Sequence, residues 1–96
     1  KGHKVGILGL GGLGHMAVKF GVAFGAEVTM LSGSASKEVD AKRLGAHKFL
    51  LTKDEQQLKK VNGYFDFIID TVFAPHDHNL YLGLLTNNGV LICVAD

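Results

Sequence analysis

Residues Gly6 to Phe20 read GILGLGGLGHMAVKF, and five of the first nine are glycine. The overlapping segment Lys4–Leu8 is largely apolar, which predicts a short buried strand. Apolar residues at helical spacing follow the glycines and predict a helix. The glycines therefore occupy a turn from a strand into a helix. Such a turn either has no further role or lets the backbone approach a charged group closely.

The composition describes one small domain and excludes several classes of protein. The chain has 96 residues, 47% hydrophobic and 20% charged, so it can bury a core of its own. A formal net charge of +1 without long Lys/Arg runs argues against nucleic-acid binding. No apolar run is long enough to span a membrane, and the amino terminus lacks a signal-peptide pattern. The single cysteine, Cys93, excludes an internal disulfide, and we expect a reducing, cytoplasmic location.

Apolar segments of strand length alternate with helical patterns along the whole chain. The predicted strands are Lys4–Leu8, Glu27–Leu31, His47–Leu51, Phe65–Ile69 and Val90–Val94. We expect helices from the glycine-rich turn to Gly25, and over about 37–44, 52–61 and 78–85, with Gly45 and Gly63 ending the second and third. The stripe of the first helix expected to lie on the sheet is Leu13, Met16, Ala17, Phe20 and Phe24. Thr52 and Glu55 have the spacing of a capping box, and Asn88-Gly89 predicts a turn before the last strand.

This alternation predicts an α/β protein with a doubly wound parallel sheet in three layers, the Rossmann fold. The expected strand order is 3-2-1-4-5, which is five of the six strands that such sheets commonly have. One edge of the sheet would then be bare, and bare edges favour aggregation. We therefore expect residues 1–96 to be one dinucleotide-binding domain of a larger protein.

The glycine spacing Gly9-x-Gly11-x-x-Gly14 is a weak signal alone, but here it follows a predicted strand and opens a predicted helix. In that context the first glycine makes the sharp turn, the second leaves room for a pyrophosphate, and the third lets helix and strand pack closely. The free amides of Gly12 and Leu13, at the positive end of the helix dipole, would bind the phosphates. The alternative is a glycine-rich turn that holds no ligand.

The end of the second predicted strand indicates which dinucleotide is bound. A sheet that binds NAD usually has an acidic residue there for the ribose 2′-hydroxyl, whereas this chain has Ser32 and no Asp or Glu from 28 to 37. The loop offers Ser32, Gly33, Ser34, Ser36 and Lys37, whose amides, hydroxyls and ammonium attract a 2′-phosphate. This pattern favours NADP(H). The alternative is that Ser34 or Ser36 caps the next helix while Lys37 lies in solvent.

Four stretches resemble the nucleotide-binding domain of zinc-dependent medium-chain alcohol dehydrogenases: VGILGLGGLGHMAVKF (5–20), FGAEVTMLSGSASK (24–37), RLGAHKFLL (43–51) and FDFIIDTV (65–72). The most similar branch is the NADP-preferring cinnamyl alcohol dehydrogenase group. The resemblance implies that Gly12 and Leu13 contact the pyrophosphate and that Ser32, Gly33 and Lys37 hold the 2′-phosphate. It also implies that four residues line the nicotinamide side: Thr71, Val72, Val94 and Ala95.

The same resemblance implies a larger enzyme that interconverts aldehydes and primary alcohols by hydride transfer, is a homodimer, and carries zinc. One cysteine cannot supply the zinc ligands of that family, so we expect no metal and no turnover in these 96 residues alone. Segment 73–78 and the Asn87-Asn88 pair depart from the family pattern. Two other functions remain: a stand-alone dinucleotide-sensing module, and a methyltransferase that uses S-adenosylmethionine, which Ser32 disfavours.

Several other residues have plainer interpretations. His76 and His78 flank Asp77, but their spacing and the lack of a further ligand favour a solvated loop over a metal site. We expect His15 to be a partly exposed helix residue and Asp70 a turn-former or hydrogen-bond acceptor. In contrast, the apolar surroundings of Cys93 predict a core residue. The residues Phe65, Phe67 and Phe73 are expected in or near the core.

Overall fold

A computed structural model describes residues 2–9, 11–72 and 79–94. Its strands are β1 (Lys4–Leu8), β2 (Glu27–Ser32), β3 (Lys48–Leu51), β4 (Phe65–Asp70) and β5 (Leu85–Cys93). Its helices are α1 (Gly12–Ala23), α2 (Glu38–Arg43), α3 (Glu55–Lys59) and α4 (Asn79–Leu82), with a 3-10 turn at Ala35–Lys37 before α2. No helix in the described ranges is long and apolar enough to cross a membrane.

The five strands form one parallel sheet in the order β3-β2-β1-β4-β5, which confirms the predicted topology. The register pairs Leu8 with Leu31 on one side and with Asp70 on the other. Since all five strands point the same way, their carboxyl ends and the loops that follow share one edge of the sheet.

The sheet has a hydrophobic core on each face, because alternate residues of its strands point to opposite sides. The core beneath α1 and α2 contains Val5, Ile7, Val18, Ala26, Val28, Met30, Ala41 and Ala46. The core on the side of α3 and α4 contains Leu8, Leu31, Leu58, Val61, Phe65, Ile68, Tyr81 and Leu84. The predicted three-layer arrangement is therefore confirmed.

Small residues of α1, rather than the predicted large ones, contact the sheet. Gly14 and Val18 are the buried residues of the helix, and a Cβ on Gly21 would lie 2.7 Å from Val28 Cγ2. The large members of the predicted stripe are exposed, Leu13 by 43%, Met16 by 54%, Phe20 by 57% and Phe24 by 73%. For these residues the prediction of burial on the sheet was wrong: all four border an open apolar groove that strand residues Val5, Phe67 and Ile69 also line. Ala17 does pack against the core.

Two element boundaries also differ from the prediction. Asp54 caps α3 by accepting hydrogen bonds from the amides of Gln56 and Gln57, so the capping box of Thr52 and Glu55 was wrong. The last strand begins at Leu85, and Asn88-Gly89 lies inside it rather than before it. The pairing of β4 with β5 is irregular at this point, which accommodates the extra residues within the strand.

Candidate functional site

The glycine-rich turn lies at the carboxyl end of β1 and is tightly packed. Gly9 has a φ of 92°, and a Cβ there would lie 2.9 Å from both Thr71 Oγ1 and Val72 Cγ2. A Cβ on Gly14 would lie 2.3 Å from the carbonyl oxygen of Gly9. The sharp turn predicted at the first glycine and the close approach predicted at Gly14 are therefore confirmed.

The first turn of α1 presents its backbone amides to open space. Its N-cap residue, Gly11, has no side chain to bond them, and the first turn contains no acidic residue. A Cβ on Gly11 or Gly12 would meet no atom within 4 Å. His15, which is half-buried as predicted, donates from its backbone N and from Nδ1 to the carbonyl of Gly11, at 2.8 and 2.7 Å. The leading amides, among them those of Gly12 and Leu13, have no acceptor within the helix and suit an anion.

The loop after β2 is built around serine hydroxyls. Ser32 is buried, and its Oγ accepts a hydrogen bond from the amide of Ser34 at 3.1 Å. The hydroxyls of Ser34 and Ser36 lie 2.7 Å apart. Ser34 makes no side-chain cap to the 3-10 turn, and the N-cap position of α2 is Lys37. The alternative in which these serines cap the next helix is therefore wrong, and the hydroxyls of Ser34 and Ser36 remain exposed.

The charge at this loop is positive. The first acidic residue after β2 is Glu38, which begins α2. The Lys37 side chain is exposed and makes no hydrogen bond or ion pair with any residue in the described ranges. The loop thus combines hydroxyls with an unpaired ammonium, which is a suitable environment for a phosphate.

A crevice of about 200 Å³ opens between the carboxyl ends of the strands. It brings together four predicted site residues, Gly9, Ser32, Gly33 and Val72. Thr52 and Tyr81 also line it, and neither was predicted to belong to the site. Thr52 could have been predicted from the sequence, because it directly follows β3 and the loops after parallel strands share one edge of the sheet. No local pattern indicates Tyr81, which lies on α4, far along the chain from the glycine-rich turn.

The residues predicted to border the nicotinamide lie at the ends of β4 and β5. Thr71 is buried and its Oγ1 donates to the carbonyl of Leu8 at 2.8 Å. Asp70 is buried and accepts a hydrogen bond from the amide of Val72 at 2.9 Å, which confirms its prediction as an acceptor. Val94 is 46% exposed, and its amide donates to the carbonyl of Asp70 at 3.0 Å. Ala95 lies outside the described residues.

Leu13, Thr71 and Val94 line a second, apolar groove of about 500 Å³. The groove continues along α1 past Met16 and Phe20. The predicted site residues are therefore divided between the crevice and this groove.

The remaining predictions concern cysteine, aromatic and metal-binding residues. Cys93 is exposed, so its prediction as a core residue was wrong, because it ends a strand at the edge of the sheet. Phe65 is buried and Phe67 is packed against the first core, whereas Phe73, His76, Asp77 and His78 lie outside the described residues. Among the described residues no three His, Cys, Asp or Glu side chains are grouped to hold a metal. The described residues therefore offer no set of ligands that fits a zinc ion.

Comparison with known proteins agrees with this geometry. Residues 12–95 match a family described as zinc-binding dehydrogenase. The chain belongs to this family. The "Probable mannitol dehydrogenase" of Medicago sativa is 50% identical over 95 residues, which are 98% of this chain and 26% of the relative. This zinc-binding dehydrogenase chain thus spans about a quarter of the length of the curated relatives that it matches.

Two solved structures are also similar to this zinc-binding dehydrogenase chain. A cinnamyl alcohol dehydrogenase of Sorghum bicolor superimposes with a TM-score of 0.96 at 47% identity, over 99% of this chain and 27% of that one. The CAD of Helicobacter pylori, solved in complex with NADP(H), superimposes with a TM-score of 0.87 at 43% identity, over 99% and 26%. Both similarities cover nearly the whole of the sheet and its helices.

Proposed function

We propose that residues 1–96 form the NADP(H)-binding domain of a larger zinc-dependent alcohol dehydrogenase. The enzyme would interconvert aldehydes and primary alcohols, as the names of the similar cinnamyl alcohol dehydrogenases suggest. The bound cofactor supplies the hydride, and the domain holds and orients it. We further propose that the substrate is a small aldehyde or alcohol, that the enzyme is a homodimer, and that it is located in the cytoplasm.

The loop after β2 carries the proposal. It holds hydroxyls and an unpaired ammonium where a sheet that binds NAD has a carboxylate. A carboxylate would repel a 2′-phosphate, whereas these groups can donate hydrogen bonds to one. The structure of the similar CAD from Helicobacter pylori contains NADP(H), which supports the same cofactor here.

The candidate residues then have three roles toward the cofactor. The turn and first helical residues, Gly9, Gly11, Gly12, Leu13 and Gly14, would receive the pyrophosphate. The loop residues Ser32, Gly33, Ser34 and Lys37 would hold the 2′-phosphate. The strand-end residues Thr71, Val72, Val94 and Ala95 would border the nicotinamide.

A titration with NADPH and with NADH tests this assignment. Lys37→Ala removes one ammonium–phosphate contact, so NADPH should bind about 1–2 kcal/mol more weakly while NADH binding hardly changes. Lys42→Ala is the matched control, since this exposed lysine lies on α2 away from the loop. An equal loss for both cofactors in Lys37→Ala would remove Lys37 from its proposed role. Failure of the unaltered protein to prefer NADPH would contradict the cofactor assignment.

A further inference from the structure

We infer that Lys53 is a second cation of the 2′-phosphate subsite and, with Lys37, determines the preference for NADPH over NADH. This inference rests on the proposed function, because it concerns the same cofactor and the same crevice. It adds a residue from a different loop, the one that follows β3.

The parallel register places the two loops side by side. Ser32, the last residue of β2, pairs with Leu51, the last residue of β3. The amide of Thr52 then donates a hydrogen bond to the carbonyl of Ser32 at 2.9 Å. Gly33 directly follows β2 and Lys53 is the second residue after β3, so the two lie near each other at the carboxyl edge of the sheet.

The side chain of Lys53 lies over Gly33. A Cβ built on Gly33 would be 3.7 Å from Lys53 Cε and 3.5 Å from Thr52 Oγ1. Lys53 Cε is the carbon that carries the ammonium, so the charge lies close to Gly33. Gly33 lines the crevice together with Ser32 and Thr52, so the Lys53 side chain lies next to the residues that line it.

The ammonium of Lys53 is not neutralised by the acids that follow it in sequence. The carboxylate of Asp54 accepts hydrogen bonds from Gln56 N, Gln57 N and Gln57 Nε2, at 3.0, 3.3 and 3.0 Å. Glu55 lines a different groove, between α3 and α4. Lys53 itself makes no hydrogen bond or ion pair within the part of the chain that the structure describes. An unpaired cation remains available for a ligand.

Two unpaired ammonium groups beside the same hydroxyl-lined loop match a doubly charged phosphate better than a neutral ribose hydroxyl. Each ammonium can donate charge-assisted hydrogen bonds to phosphate oxygens, and an anion between them also relieves their mutual repulsion. NADH presents only a hydroxyl at this position and gains little from either lysine. Lys53 is therefore expected to act on cofactor selectivity rather than on dinucleotide binding in general.

The test compares Lys53→Ala, Lys53→Arg and Lys60→Ala with the unaltered protein. Lys60→Ala removes an equivalent exposed charge at the far end of α3. Dissociation constants are measured for NADPH, for NADH, and for the minimal probes adenosine 2′,5′-bisphosphate and adenosine 5′-monophosphate. We expect Lys53→Ala to weaken NADPH and the bisphosphate about fivefold to tenfold, and NADH and the monophosphate less than twofold. Lys53→Arg should retain most of the affinity, and Lys60→Ala all of it.

The possible failures are distinguishable. If Lys37→Ala weakens NADPH selectively while Lys53→Ala behaves like Lys60→Ala, the inference is overturned and the proposed function stands. Equal weakening of NADPH and NADH by Lys53→Ala would also overturn it, because the effect would not involve the 2′-phosphate. If the unaltered protein fails to bind NADPH, the proposed function and the inference are both wrong. Because Lys53 is exposed, its variants should unfold at the same urea concentration as the unaltered protein.

Discussion

At the amino end of the sheet, Tyr64 donates a hydrogen bond to Glu27, and Lys48 donates one to Tyr64 at 2.9 Å. Lys48 also pairs with Glu27 at 3.6 Å, and the amide of Lys4 donates to Asp66 at 2.8 Å. At the carboxyl end, the ammonium groups of Lys37 and Lys53 make no hydrogen bond or ion pair among the described residues, and the exposed hydroxyls of Ser34 and Ser36 bond only to each other. Polar groups at one end bond to one another within the chain, whereas those at the other end are the groups that we propose bind the cofactor.

The contacts within the amino-end cluster shift the pKa values of Glu27 and Lys48. The hydrogen bond from Tyr64 lowers the pKa of Glu27 below its usual value, and the charges of Lys48 and Lys4 act in the same direction. The hydrogen bond to Tyr64, followed by the charge of Glu27, raises the pKa of Lys48. The cluster therefore favours the charged forms of both side chains. It ties β2, β3 and the start of β4 together and contributes to folding rather than to binding.

The largest effect on the free energy of unfolding is expected from disturbing the tight packing of Gly14 at the carboxyl end of the sheet. Gly14→Ala would place a methyl group 2.3 Å from the Gly9 carbonyl oxygen, a backbone atom. The turn or the helix must shift, and we expect the free energy of unfolding to fall by about 2–3 kcal/mol or more. Urea unfolding measures this change.

Gly12→Ala is the matched control for that substitution, since it lies two residues away on the same helix with open space around its Cβ. Its free energy of unfolding should be unchanged or higher by up to about 1 kcal/mol. Equal destabilisation by the two variants would contradict this prediction, because helix propensity favours alanine at both positions and only Gly14 has the close contact with Gly9.

A smaller effect, of opposite sign at two positions, is expected from replacing threonine by valine. Thr71→Val removes the hydroxyl that donates to the carbonyl of Leu8, and we expect a loss of about 1 kcal/mol. Thr29 is also buried, but its Oγ1 has no hydrogen-bond partner among the described residues. Thr29→Val should therefore stabilise the protein by about 1 kcal/mol. Thermal and urea unfolding of both variants test the pair, and a loss in Thr29→Val would indicate that its hydroxyl is satisfied in solution.

The smallest effect on the free energy of unfolding is expected from the cluster at the amino end of the sheet. Tyr64→Phe removes the hydrogen bond to Glu27 but keeps the ring, and the loss at pH 7 should be less than about 1 kcal/mol, because Lys48 and Glu27 are partly solvated. A lowered pKa means that this contribution is present above the pKa of the unfolded chain, about 4.3, and is lost as the pH falls through the folded-state value. The difference between the two proteins should therefore shrink in acid.

Two measurements check this prediction. Titration of the Glu27 carboxyl by NMR should show its pKa rising toward the usual value in Tyr64→Phe. Binding of NADPH should be unaffected, since the cluster lies at the opposite end of the sheet from the crevice. An unchanged Glu27 titration would mean that Tyr64 is not the main cause of the lowered pKa.

The sequence by itself determined the order of the elements and the location of the glycine-rich turn. Both are local properties: a five-residue apolar segment, the spacing of Gly9, Gly11 and Gly14, and the glycines that end α1 and α2 each act within a few residues. The parallel strand order followed because strand–helix–strand connections are nearly always right-handed. The serines and Lys37 could be found because they directly follow a predicted strand.

Only the tertiary structure decided which side chains meet. How closely α1 approaches the sheet depends on packing against a separate strand, so Gly14, Val18 and Gly21 contact the sheet while the large apolar side chains remain exposed. Likewise, strand register and helix placement bring Thr52 and Tyr81 to the crevice and Lys53 next to Gly33, over sequence distances at which no periodic pattern carries information. Local sequence specifies backbone conformation, whereas the convergence of distant loops depends on how the whole sheet is assembled.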